Sequence, residues 1–161
     1  MLASPALYDF LRWWEGIPGG RPALNAYRDG AGVWTIGYGS TLGVKAGDTI
    51  TEAEAERRLA VEVDAVAIAV TYLVQVPLEQ RRFDALVSFA YNCGTDIDAD
   101  NKPEGLGDSR LLALVNSRQF DLAAAQFPLW VWSGGVRSRG LERRRIAEMA
   151  IFMHGDYRMR P

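Results

Sequence analysis

The sequence predicts an α+β fold, mostly helical, in which a small β-containing lobe set between helices meets a larger helical lobe across a cleft. Three features lead there. Leu7, Phe10, Leu11 and Trp14 recur at helical spacing ahead of Gly16. The glycine-rich "DGAGVWTIGYG" follows the short run "LNAYR", and Asp-Gly between β-prone runs signals a hairpin. Thr51 and Glu54 then stand at capping-box spacing, opening a stretch with no Gly or Pro until Pro77. With 161 residues, 48% of them hydrophobic, the chain fits one domain with a real core.

Taken in order, residues 5–14 form a short amphipathic helix that stops near Glu15, and 24–39 form two strands around the turn at Asp29. The helix over 51–76 is long enough to bridge two lobes, at about 1.5 Å per residue. The nearly continuous apolar run from Ala85 to Cys93 reads as the buried central helix of the helical lobe, ended by Gly94. The polar run 95–107 is a loop, and three helices follow over 109–117, 121–127 and 140–154, the last strongly basic. The β-containing lobe thus spans about 17–50, the interlobe helix 51–76, and the helical lobe 1–15 with 77–161, without repeat or linker.

Charge and composition exclude several chemistries. The net charge of −2 and pI near 5.4 argue against nucleic acid as the main partner. The charge is uneven, with six basic against ten acidic residues over 1–80 and twelve against ten over 81–161, so the second half suits an anionic polymer. One cysteine, Cys93, and one histidine, His154, leave no internal disulfide and little room for a zinc site or a His-based triad. A Cys93–His154 thiol pair is set aside, because Cys93 ends an apolar helix with nothing nearby to activate it. No cofactor and no metal are expected. "MLASPALYDFLRWWEG" interrupts its apolar residues with Asp9 and Arg12 and reads as neither signal peptide nor anchor, which predicts a cytoplasmic product without stable membrane insertion.

Hydrolysis then rests on carboxylates. Before Asp48 the chain has three acids, Asp9, Glu15 and Asp29, and the last two flank the loop that joins helix to hairpin. Cleavage of a glycosidic bond needs such a pair, one to protonate the leaving oxygen and one to serve the anomeric centre or its water. Glu15 ends a helix beside Trp13 and Trp14, where the dipole and the bulky indoles suit a general acid. Asp29 sits in an open glycine turn among backbone N–H groups. These features alone leave open that Glu15 is a surface acid and Asp29 a turn former. Strand alternation puts Val33, Thr35, Gly37 and Gly39 on a nearly bare face, opposite Trp34, Ile36 and Tyr38. Such bareness suits close approach of a ligand, with the Thr35 hydroxyl placed to hold a water against Asp29.

"AYRDGAGVWTIGYGST" resembles the active-site hairpin of the phage-type lysozymes, the muramidase endolysin family typified by the T-even phage lysozymes. Asp29 to Thr35 reproduces the D-x5-T part of that family's E…D-x5-T pattern. "GDTITEAEAERRL" resembles the start of its interlobe helix, "ALVSFAYNCG" its central helix, "DSRLLALVN" the next helix and "GLERRRIAE" the closing basic helix. Two departures stand out. Thirteen residues separate Glu15 from Asp29, where the family has about eight, and Ser40 takes the place usually held by histidine after "GYG".

The resemblance implies a lysozyme-like fold and an inverting hydrolysis of the β-1,4 bond between N-acetylmuramic acid and N-acetylglucosamine in bacterial peptidoglycan. It makes Glu15 the general acid, Asp29 the carboxylate facing the anomeric centre and Thr35 its water-positioning partner, and it matches Tyr91 and Ser109 to positions that line the cleft. A monomer is expected, and the absence of a signal peptide predicts release to the wall by a separate holin, although a phage tail component or an injected toxin domain reads the same in sequence. The rival readings are a lytic transglycosylase, for which one glutamate suffices, and a wall-binding domain that has lost catalysis. Trp130 and Trp132 are candidates for stacking on sugar, with at least one expected to plug the helical lobe; Arg137, Arg139, Arg143, Arg144 and Arg145 either attract the acidic peptides and polymers of a cell wall or form a solvated helix face with one arginine paired internally.

Overall fold

The structure, a computed structural model, describes residues 1–98 and 104–161; the middle of the expected 95–107 loop lies outside the described residues. The first helix, α1 (Pro5–Glu15), starts where expected because Ser4 Oγ accepts the Leu7 N–H at 3.3 Å and Pro5 needs no N–H partner in the first turn. Its apolar stripe, Leu7, Phe10 and Leu11, is fully buried. Strands β1 (Ala23–Arg28) and β2 (Trp34–Gly37) pair antiparallel, with Tyr27 opposite Thr35 and Arg28 opposite Trp34.

Helix α2 (Glu52–Leu73) is capped by Thr51 Oγ1, which accepts the Glu54 N–H at 3.2 Å. Its buried stripe Ala55, Leu59, Val63, Ala67 and Val70 faces the core, and 22 residues carry it roughly 33 Å. The helix stops three residues short of the expected end. A residue preceding proline disfavours helical geometry, which accounts for Val76. The stop at Leu73 itself is tertiary: Asn116 donates from Nδ2 to Leu73 O at 3.1 Å and accepts the Gln75 N–H at 2.8 Å, ending the helix as a cap would.

Helix α3 (Gln80–Cys93) is buried on every side from Phe83 to Ala90. It packs against α2 and against α6 (Arg139–His154), the basic helix. Between them come α4 (Arg110–Asn116), α5 (Phe120–Ala124) and a 3-10 turn at Phe127–Leu129. Phe89 anchors the helical lobe, meeting Phe127 edge-on at 5.7 Å and Trp130 at 5.1 Å between ring centroids. Trp130 is therefore the plug expected of one of the two tryptophans. Trp132 is 65% exposed on a short hairpin absent from the expected elements, β3 (Trp132–Ser133) with β4 (Val136–Arg137). No helix among the described residues is long and apolar enough to cross a membrane.

Candidate active site

Glu15 closes α1 and lines a cleft of about 360 Å³ between the turn after β2 and the facing sides of α2 and α3. The shape of that turn comes from two glycines. Strand alternation stops at Gly37, whose φ of +68° lets the chain double back, and Ile36 and Ser40 then exchange both backbone hydrogen bonds at 2.9 and 3.0 Å. The expected bare face of four alternating residues is thus corrected. Gly37 packs against Ile50 and Ala55, whereas a side chain on Gly39 (φ +98°) would point at Glu15 Oε2, 3.9 Å from its Cβ. Only Gly39 keeps space open in front of the glutamate.

The surroundings of Glu15 also differ from those expected at a helix end beside two indoles. Trp14 tilts onto Phe10, and Trp13 lies under Gly20 and Arg160, away from the carboxylate. Glu15 instead accepts from Arg144 Nη1 at 2.5 Å, across 129 residues of sequence. Arg144 is buried and also donates through Nε to Glu148 Oε1 at 3.1 Å. Glu148, fully buried, accepts from Ser88 Oγ at 2.8 Å and pairs with Arg145 at 3.1 Å. Arg145 reaches on to Asn92 Oδ1 and Cys93 Sγ and lies 5.0 Å over the Phe89 ring. Two carboxylates and two guanidiniums balance, which is what lets four charges sit in a core. Burial alone would pull the Arg144 guanidinium down, but Glu15 and Glu148 hold it above its ordinary value, so it stays cationic behind Glu15.

The basic stretch of α6 is accordingly not a solvated face with one internal pair, since both Arg144 and Arg145 are internal. Arg145 also supplies a cation beside Cys93, 52 residues distant along the chain. Burial still wins there and pushes the thiol up, so Cys93 gains no nucleophilic character.

A second network steadies the other wall. Arg12 grips Glu56 through Nε and Nη2, at 3.0 and 2.8 Å, and Tyr38 donates its hydroxyl to Glu56 Oε1 at 2.8 Å. This ties α1, α2 and the Gly37–Ser40 turn together. The hydrogen bond from Arg12 holds the Glu56 carboxyl below the usual carboxylate range, assisted by Tyr38 against partial burial. A lowered folded pKa stabilises above the ordinary carboxylate value of about 4.3 and is lost as pH falls through the folded value. Glu56→Gln is therefore expected to unfold at lower urea than the parent at pH 7, with the gap closing toward pH 3; a gap independent of pH would refute this linkage.

Asp29 and Thr35 meet through one residue. Asp29 Oδ1 accepts the N–H groups of Ala31 and Val33, at 2.9 and 2.8 Å, and Thr35, 3% exposed, donates its hydroxyl to Val33 O at 3.1 Å. The threonine hydroxyl thus donates to the Val33 carbonyl, which leaves its oxygen lone pairs to accept. Neither residue lines the Glu15 cleft, whereas Tyr91 and Ser40 do. Ser109 has another job: 2% exposed, it caps α4 by accepting the Leu112 N–H at 3.0 Å and donates to Leu106 O at 2.6 Å. It lines a separate cavity with Tyr72 and Asn116.

Residues 14–148 match the family described as Phage lysozyme, a span that contains Glu15, Asp29, Thr35, Tyr91 and Arg144. The chain is 35% identical over 133 residues to an endolysin of Acyrthosiphon pisum secondary endosymbiont phage 1, covering 80% of this chain and 86% of that protein. It is 40% identical over 123 residues to an endolysin of Bacillus phage PZA, covering 76% of this chain and 45% of that protein, so it spans less than half of that relative's length. Among solved structures, the endolysin from Escherichia coli O157:H7 phage FAHEc1 superposes with a TM-score of 0.83 at 33% identity, covering 98% of this chain and 96% of that one.

Proposed function

The chain belongs to the phage lysozyme family, and on that premise we propose that it is an endolysin-type muramidase, a glycoside hydrolase that cuts the β-1,4 bond between N-acetylmuramic acid and N-acetylglucosamine in bacterial peptidoglycan. The observation that carries this reading is the setting of Glu15: a carboxyl at a cleft wall, fronted by the bare Gly39 and backed by a buried arginine. Glu15 is the general acid, giving its proton to the leaving glycosidic oxygen. Arg144 fixes which way the carboxyl points, and pre-orientation of that kind is what a proton transfer in the transition state requires.

Asp29 is the second carboxylate. Its Oδ1 is spent on two backbone N–H groups, while Oδ2 has no protein donor among the described residues and is available to orient a water. Thr35 serves it through Val33, donating to the carbonyl of the same residue whose N–H Asp29 holds. A water delivered to the face opposite the acid gives inversion, so a β-linked substrate releases an α-configured product first. Tyr91 stands in the cleft wall as a substrate contact. The partner is the wall itself; action as a monomer, synthesis in the host cytoplasm and delivery by a separate holin complete the proposal.

The test is digestion of purified peptidoglycan followed by analysis of the new chain ends. Reducing muramic acid ends, first formed as the α anomer, are expected. Ends in the 1,6-anhydro form would make the protein a transglycosylase, and an intact wall after treatment with folded protein would leave the wall-binding alternative.

A further inference from the structure

Glu62 takes no part in the chemistry above, yet it faces the same cleft. It lies beside the buried stripe of α2, next to Val63, and with Val66 one turn later it lines the cavity that Glu15 and Ser40 also line. From the last turn of α3, Tyr91 donates its hydroxyl to Glu62 Oε2 at 2.8 Å. Burial first, then the charge of Glu62 and the hydrogen bond to it, push the Tyr91 phenol far above its ordinary value. Tyr91 therefore keeps its proton and donates a hydrogen bond to Glu62, and the bond aims the Glu62 side chain.

The other cleft acids are spent on cations, Glu15 on Arg144 and, behind Tyr38, Glu56 on Arg12. Glu62 is not: among the described residues no cation lies within ion-pair distance of it and its Oε1 accepts no hydrogen bond. A half-buried carboxylate aimed from behind, with one oxygen open to a cavity, calls for a donor from outside the protein. Hydroxyls and acetamido N–H groups of a sugar are such donors.

Resting on the muramidase reading, we propose that Glu62, aimed by Tyr91, is a substrate-positioning residue that accepts a hydrogen bond from a hydroxyl or acetamido N–H of the N-acetylhexosamine bound beside Glu15. It binds the sugar in ground state and transition state alike, so its loss raises KM and leaves kcat nearly intact. The Tyr91 hydroxyl acts only through it, while the ring, which phenylalanine keeps, remains the wall contact.

The experiment measures kcat and KM of wild type, Glu62→Ala, Glu62→Gln, Tyr91→Phe and Glu62→Ala/Tyr91→Phe on soluble, uncross-linked peptidoglycan strands, together with Kd for the same strands in a Glu15→Gln background. Glu62→Ala is expected to raise KM and Kd about tenfold or more while kcat changes less than about threefold, the loss of a hydrogen bond to a charged group. Glu62→Gln keeps the size and the bond from Tyr91 but turns an amide N–H toward the sugar, so it weakens binding as well and guards against a folding artefact. Tyr91→Phe weakens binding about threefold alone and adds nothing once Glu62 is alanine. Unchanged KM and Kd in folded Glu62→Ala, or an equal effect of Tyr91→Phe with and without Glu62, overturns the proposal. Wild type that leaves the strands uncut overturns the muramidase reading instead, and Kd then still decides the role of Glu62.

Discussion

Glu15→Gln is expected to lower turnover of peptidoglycan about 10³-fold, since general acid catalysis is worth roughly 10² to 10⁴ and the amide cannot supply the proton. The side chain keeps its length, and its oxygen can still accept from Arg144 Nη1, so the fold should survive the change. Arg144 retains Glu148 as its second partner, which prevents the substitution from leaving a bare buried cation. The measurements are initial rates of reducing-end release, with urea unfolding as the control and Kd for soluble strands to show that the cleft still binds. A variant that keeps more than a tenth of parental turnover would remove Glu15 from the role of acid, and with it the main support for two-carboxylate chemistry at this hairpin.

Arg144→Met should be the most damaging change to stability. Methionine fills much of the volume but removes the cation between two acids, leaving Glu148 to Arg145 and Ser88 alone and Glu15 without its anchor. Breaking one member of a buried ion network typically costs about 3–5 kcal/mol. Urea denaturation at pH 7 should show a loss of that order, and any folded fraction should have reduced kcat because the acid is no longer aimed. Arg144→Lys should fall between: it keeps the charge but cannot bridge Glu15 and Glu148 with a planar fork. A loss below about 1 kcal/mol in Arg144→Met would show that the network is dispensable and that Glu15 is positioned by its helix alone.

The helices were legible because their signals are local. Thr51 is read as a cap from sequence and acts as one in the structure, and the apolar spacing of α1 and the run of α3 match their buried faces. Asp29 was legible for the same reason, since its hydrogen bonds go two and four residues ahead. Alternation misled at Gly37, where a positive φ ends the strand and swings Tyr38 toward Glu56; the "GYG" pair of glycines was the sign of a turn rather than of a bare face. The short hairpin after Trp130 carried its signal too, in Gly134 and Gly135, though with only two paired residues on each side it has no alternating pattern to read.

Other features required the folded chain. Ser109 is alike in sequence whether it caps a helix or touches a ligand, and only the folded chain shows its hydroxyl capping α4. Glu62 was an unremarked flank of α2 until Tyr91 reached it from 29 residues away. Helix kinds, their caps, the hairpin at Asp29 and the inventory of acids follow from the order of residues, because each depends on neighbours within about a turn. The partner of Glu15, the end of α2 at Leu73 and the carboxylate left open in the cleft were decided by tertiary structure. Each depends on a side chain distant along the chain, Arg144, Asn116 and Tyr91, and packing alone determines which charges and hydrogen-bonding groups are brought close enough to be satisfied.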